Sequence, residues 1–129
     1  MILVATSVWI ESFRRGSSFR LEDVIELEEV VTCLPVIQEV LQGFDDQVAY
    51  EIAREAMLSF PRVESPIGEE VFQGAVDLYR RARRTGLTVR SSTDCLIAAC
   101  AIRHSLAVCH RDRDYDAIAE VSSLEVVRV

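Results

Sequence analysis

The feature that most narrows the fold is the alternation of short β-rich runs with longer stretches of helical periodicity. Ile2–Val4, Val30–Leu34, Leu106–Cys109 and Leu124–Val129 are apolar, of strand length, and rich in branched side chains. Between them, Thr6 or Ser7 caps a helix running to about Arg15, and Leu21–Glu29 reads as another, with Leu21, Val24, Ile25 and Leu27 as its apolar residues. Pro35 suits the first turn of a helix to about Gly43. Asp45 or Asp46 caps the next, through Met57 or Leu58, with Val48, Ile52 and Ala56 on one face. Pro61–Pro66 is a connection with a short extended piece at Val63–Ser65. Glu69–Thr85 spaces Val71, Phe72, Ala75, Leu78, Tyr79 and Ala82 helically and stops at Gly86, a C-cap glycine. Ser91–Thr93 opens an apolar helix over Asp94–His104, and Tyr115–Glu120 makes a short final one.

Strands separated by helices pair in parallel, because a parallel neighbour needs a crossover long enough to hold a helix. The expected architecture is an α/β fold, a three-layer α/β/α sandwich with a mostly parallel central sheet and helices on both faces. With no repeat, low-complexity tract or linker, residues 1–129 are expected to form a single domain.

Half the residues are apolar and 27% charged, a balance that excludes a disordered chain. No apolar run approaches the length of a membrane span. Met1–Ile10 has no basic residue before it and Glu11 directly after, so it reads as a buried strand rather than an export signal, and the expected compartment is cytoplasmic. Cys33, Cys95, Cys100 and Cys109 lie in apolar surroundings with no C-x-x-C pair, which favours buried, reduced thiols. A zinc site of Cys109, His110 and two other cysteines would match no specific spacing.

The net charge of −7 argues against a nucleic-acid partner unless the acids are gathered to bind cations. In open parallel sheets, ligands sit outside the carboxyl ends of the strands. The position after the first strand is Ala5. The second is followed, one turn into its helix, by Glu39. Asp94 is the one charge at the head of an apolar helix, and the third strand leads into His110-Arg111-Asp112-Arg113-Asp114-Tyr115. Each acid alone has a plain explanation: Asp94 as a dipole-favoured helix start, Glu39 as a solvated helix residue, Asp112, Asp114 or Asp116 as a cap. Together at one sheet edge they would repel one another unless a cation lay between them, and hard ions such as Mg²⁺ and Mn²⁺ take oxygen ligands.

Four segments carry a resemblance. Met1-Ile2-Leu3-Val4-Ala5-Thr6-Ser7-Val8-Trp9-Ile10 resembles the opening of VapC-type PIN domains, where hydrophobic residues lead into Asp-Thr-Ser. Val36-Ile37-Gln38-Glu39-Val40-Leu41-Gln42-Gly43, Thr93-Asp94-Cys95-Leu96-Ile97-Ala98-Ala99 and His110–Tyr115 resemble the second, third and fourth acidic segments of that family, in order and at its spacings. The resemblance implies that Glu39, Asp94 and Asp112 hold Mg²⁺ or Mn²⁺. Asp114 would be a further or supporting ligand, and Thr6, or else Ser7, would hydrogen-bond within the site. It also implies a cytoplasmic endoribonuclease toxin that hydrolyses structured RNA such as tRNA, paired with an antitoxin protein and forming a homodimer. The departure is Ala5, a methyl group where the family has its first aspartate. Losing that carboxylate should lower metal affinity and turnover steeply. A substitution made to silence a toxic nuclease would leave the other acids intact, as they are, whereas natural decay would more often have removed others. The intact remainder favours design.

All 14 positive residues are arginine, whose planar fork suits phosphate. Arg80, Arg81, Arg83 and Arg84 form either a helix-end cluster stabilised by the dipole or an RNA surface, with Arg90 nearer the acids and Arg111 and Arg113 the candidates for touching substrate. Trp9 reads as core. Leu41, Phe44, Val48 and Ile52 suit core, an antitoxin groove or a dimer face. His104 and His110 read as structural or surface residues. Two other function classes compete. A phosphoacceptor receiver domain would use a lysine beside its acids, and the chain has none. A non-catalytic PIN-like module binding RNA or protein would have no need to gather carboxylates.

Overall fold

The computed structural model describes residues 1–129. Its strands are β1 (Ile2–Val4), β2 (Val30–Cys33), β3 (Arg62–Val63), β4 (Ala107–His110) and β5 (Val126–Arg128). Its helices are α1 (Thr6–Phe13), α2 (Leu34–Leu41), α3 (Gln47–Ser59), α4 (Glu69–Arg84), α5 (Ser92–Arg103) and α6 (Arg113–Glu120). The strands form one sheet in the order β3-β2-β1-β4-β5, every pairing parallel, with Leu3 of β1 opposite Val31 on one side and Val108 on the other. The α/β fold expected from the alternation is therefore present.

The chain builds outward from β1 through β2 to β3, then crosses back to add β4 and β5 on the other flank. Right-handed crossovers in opposite directions place α1–α3 on one face and α4–α6 on the other, and the helices pack accordingly, α1 on α2, α2 on α3, α4 on α5 and α6. The reversal leaves a switch point between β1 and β4, where an open parallel sheet has its ligand crevice. Beyond that edge the two helical layers meet, α2 against α5.

β1, β2 and β4 are buried on both faces, which is why they read as continuous apolar runs rather than as alternating ones. Helix α5 is almost wholly enclosed. Its small residues admit α4 closely, and a Cβ on Gly74 would sit 3.6 Å from that of Ala99. Gly86, at φ +80°, ends α4 in the left-handed conformation, and Leu87 N–H returns to Ala82 O at 2.9 Å, as the C-cap reading requires. No helix is long and apolar enough to cross a membrane.

Three local expectations need correction. Leu21–Glu29 is not an α-helix but two 3₁₀ turns, Leu21–Asp23 and Leu27–Glu29. Only Leu21 is buried, and Glu22, Asp23, Glu26, Glu28 and Glu29 would crowd like charges along a regular helix. In α3 the side chains that reach the core are Ala53 and Met57, while Val48 and Ile52 are each 64% exposed. Neither Thr6 nor Ser7 caps α1. Ala5 occupies that position without a side-chain cap, leaving both hydroxyls for other partners.

Candidate metal centre

The acids meet at the switch point. Asp94 enters from the first turn of α5, whose N-cap Ser91 accepts the Asp94 N–H at 3.3 Å. Asp112 is the N-cap of α6 and accepts the Asp114 N–H at 2.9 Å, so the turn after β4 presents both aspartates at once. One carboxylate oxygen from each of Asp94, Asp112 and Asp114 falls within 4.8 Å of the others, the only such grouping of His, Cys, Asp or Glu in the molecule. Asp94 and Asp114 are buried and Asp112 is half-buried. Burial, then the nearby Asp112 charge, pushes the Asp94 carboxyl up to about 7, against the pull of a hydrogen bond donated by the Tyr115 hydroxyl at 3.2 Å; Asp114 and Glu39 add to the rise.

Glu39 stands outside the tight trio but close enough to Asp94 to raise it, and it accepts the Thr6 hydroxyl at 2.8 Å. Ser7 Oγ accepts the Arg111 N–H at 3.0 Å, fastening the acidic turn to α1. The hydroxyls that do not cap α1 thus hold the site's two flanks. Ala5 lies fully buried at the end of β1, its N–H bonded to Cys109 O at 2.9 Å, so position 5 is at the same sheet edge. Arg113 is exposed at the first turn of α6, while the Arg111 guanidinium lies 5.1 Å over the Phe19 ring.

The residues present fit a hard divalent cation. Asp94 Oδ2 and Asp114 Oδ1 are buried without a hydrogen-bond partner, a costly state for carboxylates unless a cation answers them. The donors are all oxygen, which suits Mg²⁺ or Mn²⁺ rather than zinc. The four cysteines are buried and free, and His110 packs beneath the turn with Nδ1 accepting the Asp112 N–H at 3.1 Å.

The PIN domain sequence model matches residues 2–121, nearly the whole chain and all of these acids. The chain belongs to the PIN-domain family. It is 39% identical over 130 residues to Ribonuclease VapC11 of Mycobacterium tuberculosis and to VapC ribonuclease Mb1587 of Mycobacterium bovis, covering 97% of this chain and 96% of each relative. Its fold also matches VapBC-5 of M. tuberculosis, a member of the VapBC family of toxin-antitoxin systems, with a TM-score of 0.74 at 21% identity, covering 99% of this chain and 98% of that one.

Within this PIN domain, sequence reasoning missed two contributors. Tyr115 bonds Asp94 from beneath, and its only signal was an aromatic residue directly after the acids. The Arg90 and Ser91 N–H groups donate to Asp114 Oδ2 at 3.0 and 3.2 Å, a backbone contact that no residue type announces.

Proposed function

We propose that this PIN domain is a metal-dependent endoribonuclease of the VapC kind, the toxin of a toxin–antitoxin pair, impaired by alanine at position 5. The observation that carries the reading is the trio Asp94, Asp112 and Asp114 at the switch point, with two buried oxygens lacking partners. Asp94, Asp112 and Asp114 would hold Mg²⁺ or Mn²⁺ from the α5 and α6 side, with Glu39, steadied by Thr6, facing them from α2. Such an ion supplies Lewis acidity, polarising a phosphodiester and acidifying water. The protein's own part is to hold four carboxylates close together against their repulsion, at a rim where Arg90, Arg111 and Arg113 can meet RNA phosphates such as those of tRNA. An aspartate at position 5 would add an acid from the end of β1, between the two groups.

The apolar surfaces suit partners. Ile10, Phe13, Val40 and Phe44 line a groove of about 280 Å³ between α1 and α2, where an antitoxin segment can lay an apolar face. On α4, Phe72, Val76 and Tyr79 are exposed between an acidic start (Glu69, Glu70) and a basic end (Arg81, Arg83, Arg84). Antiparallel pairing of α4 about a two-fold axis near Val76 would match acid to base, which supports a homodimer.

The decisive experiment compares the chain with its Ala5→Asp variant on total tRNA, with Mn²⁺ and with a chelator. Cleavage by the variant alone, abolished by the chelator, is expected. RNA binding without cleavage by either protein would favour a non-catalytic binding module instead.

A further inference from the structure

Arg90 stands between the acidic site and solvent. Its backbone N–H holds Asp114 Oδ2, while its guanidinium, on a side chain 59% exposed, places Nε 3.9 Å from Asp114 Oδ1. That second oxygen is buried and accepts no hydrogen bond. The separation is beyond hydrogen-bond reach but well within Coulomb reach, so the guanidinium is attracted without being fastened. No other arginine pairs with an acid of the trio: Arg111 lies on Phe19, and Arg113 has no ion-pair partner. A divalent ion on Asp114 would neutralise what draws Arg90 inward and would repel it. An arginine fork released at the mouth of such a site suits the oxygens of a phosphodiester.

We propose that Arg90 is a cation in reserve: it faces Asp114 while no divalent ion is held there, and turns to a backbone phosphate of RNA once one is. The ligand rests on the ribonuclease reading; the pairing with Asp114 does not.

The test uses the chain with Ala5 as it stands, beside its Arg90→Gln and Arg90→Lys variants, with Arg54→Gln on the exposed side of α3 as control. Mn²⁺ affinity is read from the free-ion electron paramagnetic resonance signal, and tRNA affinity is followed against KCl with Mn²⁺ and with chelator. In Mn²⁺, Arg90→Gln should bind RNA several-fold more weakly, with a log–log salt slope shallower by about 0.7 to 0.9, the loss of one phosphate contact. In chelator the slopes should coincide, because Arg90 is then engaged by Asp114. Arg90→Gln should bind Mn²⁺ at least as tightly as the unaltered chain, Arg90→Lys should recover most of the slope, and Arg54→Gln should change neither quantity. RNA binding with equal slopes in Mn²⁺, a slope difference that persists in chelator, or weaker Mn²⁺ binding by Arg90→Gln would each overturn the Arg90 proposal alone. If no variant binds RNA although Mn²⁺ binds, the ribonuclease reading fails and takes the phosphate role with it.

Discussion

Replacing Asp94 with asparagine should make the metal-free protein more stable at neutral and alkaline pH while removing its response to metal. In the fold, burial and the adjacent Asp112 hold the Asp94 carboxyl at about 7, against an ordinary value of 3.8. An acid raised on folding favours the native state in its protonated form. Its stabilising contribution is complete below about pH 4 and is lost as the pH rises through about 7. The gap from 3.8 to about 7, at about 1.4 kcal/mol per pH unit, amounts to about 4 kcal/mol. Asp94 is only 7% exposed, so solvent screens little of this; shared repulsion with Asp112 and Asp114 and local relaxation bring the expected difference to about 2–4 kcal/mol. Asparagine stays neutral, keeps the shape, and can still accept the Tyr115 hydroxyl through Oδ1. The assay is urea unfolding in chelator from pH 4 to 8.5, followed by the fluorescence of Trp9, the one tryptophan, which is buried. The two proteins should agree near pH 4, diverge steadily between about pH 4 and 7, and differ by a constant amount above that, with Asp94→Asn the more stable. Adding Mn²⁺ at pH 8 should stabilise the unaltered chain by mass action and leave the variant unmoved. Parallel pH profiles, or a variant less stable at pH 8, would refute the claim that this carboxylate is held against its own preference.

Thr6→Val removes the 2.8 Å bond to Glu39 with little change of shape. Because the freed Glu39 is half-buried and partly rehydrates, the expected loss is about 1 kcal/mol in urea unfolding, with about a tenfold drop in Mn²⁺ affinity by ion titration. Val76→Glu puts a carboxylate between Phe72 and Tyr79 on the exposed side of α4; if α4 forms the proposed dimer face, light scattering should show a dimer for the unaltered chain and a monomer for the variant.

The acids were legible because the rule that locates them is local: each strand end and the helix that follows are marked in the chain, and the carboxyl edge of a parallel sheet is where ligands lie. Glu39 in the helix after β2 and Asp112 and Asp114 in the turn after β4 follow from this rule, whereas Asp94 stands out as the one charge at the head of an apolar helix. What the sequence hid depends on what lies opposite. Leu21–Glu29 has helical spacing, but only Leu21 is fully buried, Ile25 packs in part against the core and Val24 and Leu27 stay exposed, so the turns tighten instead. The apolar face of α3 was visible, but its direction was not; Ala53 and Met57 point inward, and Val48 and Ile52 stay outside. Thr6 and Ser7 look like caps by position and act as tethers, because Glu39 and the Arg111 N–H lie within their reach.

The strand order also governs when the acidic site can assemble. β1, made before the other strands, lies at the centre of the sheet, and its neighbour β4 is not translated until residues 107–110. Asp112 and Asp114 follow only then, so a growing chain carries Glu39 and Asp94 but lacks the turn that gathers them. On the ribonuclease reading, a nascent chain that ends before that turn has no complete site and should cut no RNA, so activity would wait until synthesis is nearly finished.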